Sequence, residues 1–305
     1  MAIALQGIVV PLLSPYTRGN ETFDEPAYRR LIDFVIGHGA HAIIANAATS
    51  EFNSLDESER LKAAEIAVEH ARGRVPVLVG AGAPATRHSI RFAKHAESIG
   101  ADGLLIVPPF YGTCPIDNIV GHYAAISDAC SLPIMLYNAL YAQNFVLTPT
   151  DVERLAGAAN IPWVKLTTGV PQHVTEIRER MGDRMAIFEG VDTLAYASMC
   201  MGADGWVAGT ANMIPDLAVE LWRLTKVEGD MRAARALNDR IDPLHRFTTV
   251  PTIYFAVGKE VCRLRGVPLG GVRLPWDNLT TAQAAQALKL AADLGLLDTT
   301  IAKVA

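Results

Sequence analysis

A repeated alternation is the feature of this 305-residue sequence that most limits its fold. Short apolar segments recur, and most are followed by a longer amphipathic stretch. The short segments are nearly continuous apolar runs, which is typical of parallel strands covered on both faces. Eight such units favour an α/β fold of the (β/α)8 barrel type. The predicted strands are Gly7–Leu13, His41–Asn46, Val75–Gly80, Gly103–Val107, Pro133–Tyr137, Trp163–Leu166, Ala186–Glu189 and Gly205–Ala208.

The stretches between and after these strands have helical patterns. The hydroxyl of Thr148 followed by Pro149 is a favourable helix start. An open, doubly wound sheet is the alternative, but no GxGxxG stands between a strand and a helix to support it. We predict a barrel over residues 1–226 and a C-terminal helical extension over residues 227–305. The predicted helices include Glu25–Ile36, Asp56–Ala71, Ala85–Ile99, Thr148–Ala158, Met231–Leu244, Tyr254–Leu264 and Thr281–Leu294.

Composition excludes several classes of protein. Half of the residues are hydrophobic, and a net charge of -5 gives no reason to expect a nucleic acid or membrane partner. The segment Met1–Gln6 lacks the basic start and apolar core of a secretory signal, and no apolar run reaches ~18 residues. Four separated cysteines are expected to be reduced thiols in packed positions. The sequence therefore predicts a cytoplasmic protein, with no metal site and no cofactor.

One charged side chain stands inside an apolar strand. Lys165 lies in the segment WVKLTTG, whose first four residues are the predicted sixth strand, Trp163–Leu166. Barrel active sites are built at the carboxyl ends of the strands. An ammonium group in a dry pocket loses its proton more easily, and the neutral amine attacks ketones. The alternative is a lysine that extends along the barrel rim and keeps its charge in water.

Three further polar residues lie at or just after the ends of other predicted strands. Tyr137 ends the fifth strand, Thr49 follows the second and Tyr111 follows the fourth. A phenol next to a Schiff-base lysine can carry protons to and from the substrate carbon. Each residue also has an ordinary explanation, as packing or as turn chemistry.

Together these residues resemble the dihydrodipicolinate synthase / N-acetylneuraminate lyase family of Schiff-base barrels. The resemblance extends over essentially the whole chain. It rests on several motifs in order, namely PPFY with Tyr111, LPIMLYN with Tyr137, VKLTTG with Lys165, and MGADGWVAGTAN around the eighth strand.

The resemblance implies a role for each of these residues. Lys165 would form the imine with a 2-oxo acid, and Tyr137 would carry protons in a relay with Thr49 and Tyr111. In the family this second tyrosine enters the site of a neighbouring subunit, which implies an oligomer, commonly a tetramer built as a dimer of dimers. The turn at Thr49 and Ser50 would bind the substrate carboxylate through its hydroxyl and backbone N–H groups.

Two departures from the family pattern bear on the substrate. Where the family has Gly-(Thr or Ser)-Thr-Gly-Glu, this chain has Ala47-Ala48-Thr49-Ser50-Glu51. Either Ser50 is strained at positive φ, or the loop differs from that of the family. Synthases of the dihydrodipicolinate type carry a carboxylate-binding arginine shortly after the tyrosine, and residues 138–143 contain none. This absence argues against synthase activity.

Other positions resemble the sialic-acid lyases. Thr167 matches a substrate-site threonine, and Gly190 with Asp192 matches a site for sugar hydroxyls. Thr193 stands where that branch has a glutamate and Gly209 where it has a serine, so sialic acid itself is not expected.

Further residues are predicted near the substrate, and one motif points elsewhere. Val207 of the eighth-strand motif is a predicted substrate-binding residue. The other candidates, each with an equally good structural explanation, are Tyr141, Gln143, Trp206 and Asn212. The run Glu51–Leu55, EFNSL, resembles a loop of sugar-acid dehydratases in the same family.

The sequence predicts a lyase that cleaves or forms a C–C bond to pyruvate, with a hydroxylated, sugar-acid-like substrate. A dehydratase of 2-keto-3-deoxy acids using the same imine is one alternative. A 2-oxo acid sensor without turnover is another, which only the altered loop after the second strand favours.

Overall fold

The eight predicted strands form a closed, parallel barrel in chain order. The computed structural model describes residues 3–17, 19, 22–140, 145–249 and 252–297. The strands are β1 Gly7–Pro11, β2 Ala42–Ala45, β3 Val77–Gly80, β4 Gly103–Ile106, β5 Ile134–Ala139, β6 Trp163–Thr167, β7 Ala186–Glu189 and β8 Gly205–Val207. β1 pairs with both β2 and β8, which closes the barrel. The predicted barrel is confirmed, and the open doubly wound sheet is wrong.

The helices begin where local chemistry favours them. Asp24 accepts a hydrogen bond from the Ala27 N–H at the start of α1. Thr148 accepts one from the Asp151 N–H, with Pro149 at the first helical position as predicted. The helices are α1 Glu25–Gly37, α2 Glu57–Ala71, α3 Thr86–Ser98, α4 Ile116–Ala129, α5 Pro149–Ala158, α6 His173–Met181, α7 Ala195–Cys200, α8 Pro215–Trp222, α9 Met231–Thr248, α10 Tyr254–Leu264 and α11 Thr281–Asp293.

Side chains of β6 alternate between the two faces of the barrel wall. Val164 and Leu166 pack in the cluster between the barrel and its helices. Trp163 packs in a separate cluster inside the barrel. Since strand side chains alternate, Lys165 and Thr167 share the inner face with Trp163. The strand therefore carries a lysine into the barrel interior while its other face stays apolar.

The C-terminal helices share a core with the barrel. Leu244 of α9 and Val257 of α10 are fully buried in one cluster with Ile8 of β1. The boundary between residues 226 and 227 stays a prediction. Cys130 and Cys262 are buried free thiols as predicted, but Cys200 is exposed because it ends the short surface helix α7. Within the ranges described above, no helix has the length and apolar character needed to span a membrane.

Candidate active site

A cavity of about 610 Å³ opens at the mouth of the barrel, where the strands end. Its volume lies in the range of small-molecule binding sites. The predicted residues that line it are Thr49, Lys165, Thr167, Gly190, Asp192 and Val207. Four elements of the barrel (the loop after β2, β6, the loop after β7, and β8) thus bring predicted residues into one space.

Lys165 is a buried amine on the cavity wall. Its side chain is only 4% exposed, so the rim position considered from the sequence is wrong. Burial lowers the pKa of Lys165 to about 8, against the opposing effect of the carboxylates of Asp192 and Glu189. The Nζ atom lies 4.1 Å from the centre of the Tyr137 ring, which belongs to its register partner on β5. With this pKa roughly a tenth of the amine is neutral at pH 7, far more than for a lysine in water.

Gly190 has no side chain, and two side chains of β6 occupy the space where one would be. A Cβ atom at this position would overlap the Thr167 hydroxyl and lie 2.6 Å from Lys165 Cε. Thr167 Oγ1 is buried and has no hydrogen-bond partner among the described protein atoms. A buried hydroxyl of this kind on a cavity wall is available to a ligand.

Carboxylates shape the loop after β7. Glu189 accepts hydrogen bonds from the Gly190 and Val191 N–H groups, at 2.9 and 2.8 Å, and from the Ser198 hydroxyl. Asp192 accepts one from the Trp206 indole N–H at 3.0 Å. Burial raises the pKa of Asp192 to about 6, although hydrogen bonds from the Thr210 backbone N–H and the Trp206 indole, together with the charge of Lys165, oppose the shift. The loop therefore presents a fixed carboxylate to the cavity.

The loop after β2 differs from the expectation for Ser50. Its hydroxyl donates to the Leu12 carbonyl at 2.6 Å and accepts from the Ala47 N–H at 3.0 Å. Ser50 is not at positive φ; the left-handed residues of this loop are Asn46 and Glu51, with φ of 57° and 51°. The expectation of strain at Ser50 is therefore wrong. The other expectation, a loop unlike that of the family, stays a prediction.

A buried ion pair fastens this loop to α10. Lys259 Nζ lies 2.6 Å from Glu51 Oε1, and both side chains are at most 2% exposed. Lys259 also donates to the Gly271 carbonyl at 2.6 Å. Burial raises the pKa of Glu51 and lowers that of Lys259 to about 8, and the partner opposes the shift in each case. The pair thus holds α10 and the loop after β2 at a fixed separation.

Comparisons with known proteins identify the family of this chain. The model of the dihydrodipicolinate synthetase family matches residues 4–294. This chain belongs to that family. A 4-hydroxy-tetrahydrodipicolinate synthase from Methylococcus capsulatus is 34% identical over 271 residues, which cover 89% of this chain and 92% of the relative.

Solved structures of family members have the same fold. Dihydrodipicolinate synthase from Aquifex aeolicus superposes with a TM-score of 0.91 at 28% identity, covering 97% of this chain and all of that one. A prophage protein of the family from E. coli K12, in complex with pyruvate, also gives 0.91 at 28% identity, covering 96% and 100%. The predicted enzyme class is confirmed: the protein is a Schiff-base lyase of the class I aldolase type.

Two of the predicted relay residues of this family member lie outside the main cavity. Tyr137 lines a second cavity of about 330 Å³, which shares Ala48, Phe255 and Trp276 with the first. Tyr111 lines neither cavity, and its side chain is 93% exposed. Their relay with Thr49 stays a prediction.

The remaining candidates have structural surroundings or lie outside the described residues. Trp206 is fully buried and donates to Asp192. Asn212 is fully buried; it donates to the Pro11 and Gly209 carbonyls and accepts from the Leu13 N–H. Tyr141 and Gln143 fall outside the described residues.

Sequence analysis missed the part of the site that comes from the C-terminal extension. Tyr254 opens α10 and places its hydroxyl 3.4 Å from Thr49 Oγ1. Phe255 and Trp276 pack edge to face at 5.1 Å on the cavity wall. The only sequence signal was the aromatic pair Tyr254-Phe255 at the first turn of a helix, and nothing local related it to β2.

Proposed function

We propose that this protein joins Lys165 to the 2-oxo group of pyruvate or a pyruvate-derived acid and makes or breaks a C–C bond next to it. The observation that carries the proposal is the buried amine of Lys165, which has a lowered pKa and lines a ligand-sized cavity. The pyruvate complex of the E. coli K12 relative supports pyruvate as the 2-oxo acid.

The chemistry follows from the amine. Neutral Lys165 adds to the 2-oxo carbon, and loss of water gives the imine. The protonated imine nitrogen withdraws electrons, so the adjacent C3 carbanion is stabilised as an enamine. Tyr137, whose ring lies 4.1 Å from the lysine, is proposed to carry protons between this nitrogen, the substrate and the relay. Thr49 would orient the carboxylate at the end of β2.

The wall of the cavity suggests a hydroxylated partner. Thr167 offers a buried hydroxyl without a protein partner among the described residues, and Asp192 offers a carboxylate. Such groups bind the hydroxyls of a sugar-acid-like chain, because an unpaired buried polar group is unfavourable until a ligand satisfies it. We therefore infer an aldolase acting on a hydroxylated 2-oxo acid, and the matching dehydratase with the same imine remains the alternative.

A second candidate, 4-hydroxy-tetrahydrodipicolinate synthase, is favoured by the names of the relatives. Against it, residues 138–143 contain no arginine to bind the carboxylate of the aldehyde substrate. A fork of guanidinium donors has no equivalent in alanine or leucine. Assay with pyruvate and aspartate semialdehyde distinguishes the two proposals directly.

The oligomer is also part of the proposal. Tyr111 is 93% exposed on one protomer, as expected of a side chain that completes a neighbour's site. We infer a homotetramer, and a cytoplasmic one. Analytical ultracentrifugation tests the assembly, and a monomer with full activity would contradict the role given to Tyr111.

Borohydride trapping tests the central step. The protein is incubated with pyruvate, reduced, and mapped by peptide mass spectrometry. We expect a reduced pyruvyl adduct on Lys165 and none after Lys165→Ala. Lys259 is an internal control, since burial lowers its pKa to about 8 as well, but it is paired with Glu51 outside the cavity lining. An adduct on Lys259, or no adduct in folded protein, would contradict the proposal.

A further inference from the structure

The position of Gly209 is tied to a residue far along the chain. A Cβ atom on Gly209 would overlap the Tyr254 hydroxyl, and it would lie 3.1 Å from Tyr254 Cζ and 3.5 Å from Asp192 Oδ2. A side chain at 209 and the phenol of Tyr254 therefore exclude each other. Gly209 has a negative φ of -65°, so backbone conformation does not require glycine here. Glycine is required because the Tyr254 hydroxyl occupies the space that a side chain at 209 would take.

The phenol occupies a defined place in the cavity. Tyr254 lines the same space as Lys165, and its hydroxyl is 3.4 Å from Thr49 Oγ1. The hydroxyl fills the position that a Cβ on Gly209 would take, which is 3.5 Å from Asp192 Oδ2. The Tyr254 hydroxyl thus lies between the loop after β2 and the loop after β7, on the wall that faces a substrate bound to Lys165.

The chain keeps Tyr254 in this place. The residue begins α10, and Lys259, five residues later, is paired with Glu51 in the loop that carries Thr49. Because a tyrosine has few rotatable bonds and its helix is fastened, little ordering is needed to present this hydroxyl. The neighbouring Phe255 and Trp276 close the same wall with apolar surface.

We propose that Tyr254 is a specificity-determining residue that contacts a hydroxyl on the substrate chain, supplying from α10 the hydroxyl that residue 209 lacks. Because residue 209 has no side chain, the hydroxyl at this place in the cavity comes from α10. Phe255 and Trp276 line the cavity beside it. The substrate class is a 2-oxo acid with hydroxyls at C4 or beyond. This inference rests on the proposed imine at Lys165.

The test compares two six-carbon acids, 2-keto-3-deoxygluconate and 2-oxohexanoate, which carries no hydroxyls. The concentration that gives half-maximal borohydride trapping on Lys165 is measured for each. We expect the wild type to favour the hydroxylated acid, and Tyr254→Phe to reduce that preference about 5–10-fold, as for one lost neutral hydrogen bond. Tyr196→Phe is the matched control, because its hydroxyl bonds to the Met231 carbonyl away from the cavity.

The outcomes separate this inference from the proposed function. If the wild type forms no adduct with pyruvate or either acid, the imine itself is refuted. If pyruvate is trapped but the two six-carbon acids are trapped equally, or Tyr254→Phe leaves their ratio unchanged, the role of Tyr254 is refuted and the lyase stands.

A double-mutant cycle checks the geometry independently of activity. Gly209→Ala should destabilise the wild type, since the new Cβ overlaps the phenol oxygen. In the Tyr254→Phe background the phenol oxygen is gone, and the nearest ring atom, Cζ, lies 3.1 Å from the new Cβ. Gly209→Ala should therefore lower the melting temperature less than it does in the wild type. Additive effects of the two substitutions would show that they do not share this space.

Discussion

The buried pair Glu51–Lys259 should be the most sensitive connection between the barrel loop and the C-terminal helices. Both side chains are withdrawn from water and lie 2.6 Å apart. Lys259→Met keeps the apolar stem but leaves a carboxylate buried without its partner. Removing one member of such a pair costs about 3–5 kcal/mol of unfolding free energy. For a chain of 305 residues that lowers the melting temperature by about 5–8 °C.

A second variant separates charge from packing. In Lys259→Met with Glu51→Gln, no buried ion remains, and replacing a buried pair by neutral groups is often close to neutral in stability. The double variant should therefore recover most of the lost unfolding free energy. Arg263→Met is the matched control on the same helix, because its partner Glu260 and its own side chain are partly exposed, at 21% and 49%. That change should cost less than about 1 kcal/mol.

Scanning calorimetry and urea unfolding at pH 7 provide the measurement. A loss below about 1 kcal/mol for Lys259→Met would mean that Glu51 is readily neutralised or resolvated, and the reasoning from burial would be wrong. A double variant as unstable as the single one would assign the effect to packing of the lysine stem instead of the stranded charge.

Three further results are expected. The initial rate of pyruvate trapping should rise with pH and level off above about 8, as Lys165 loses its proton, and a flat profile would contradict a pKa of about 8. The pKa of Lys165 is lowered from 10.5 to about 8 in the folded state, so the unfolded chain binds more protons between pH 8 and 10.5. Lys165→Met should therefore stabilise the protein below about pH 8, and the gain in unfolding free energy should disappear as the pH approaches 10.5. Urea unfolding across this pH range measures the effect. In Gly190→Ala the new Cβ would lie 2.6 Å from Lys165 Cε, so the trapping rate should fall about 100-fold while circular dichroism shows normal folding. Trapping at the wild-type rate would show that Lys165 does not need this space.

The sequence predicted the parts of the site that local pattern determines. Lys165 is conspicuous because a charge in a short apolar strand is unusual. Thr167 was predicted from the resemblance to the sialic-acid lyases, and strand alternation in the structure places it on the same face. Ser50 illustrates the opposite case. The motif shows a hydroxyl in a binding loop, but its acceptor is the Leu12 carbonyl, 38 residues away. The backbone angle that separates Ser50 from Glu51 is likewise absent from the sequence.

Contacts between distant segments were beyond the sequence patterns. Thr49 and Tyr254 are 205 residues apart, and neither periodicity nor local spacing relates them. The helix α10 was predicted with its bounds, Tyr254–Leu264, as the structure has them. Its orientation, with its first residue in the barrel mouth, follows from a core that joins it to β1 and from the pair Glu51–Lys259.

The part of the cavity wall that the C-terminal helices supply is synthesised last, and this has a consequence for the nascent protein. The reactive amine of Lys165 is made well before Tyr254, Phe255 and Trp276, which line the same cavity. A nascent chain that has only just completed its eight strands holds that amine behind an unfinished wall, open to water and to any small carbonyl compound. A usable site appears only when the last helices leave the ribosome and dock. Premature termination after the barrel would therefore leave Lys165 in contact with water, where the burial that lowers its pKa is lost and the amine stays protonated near neutral pH.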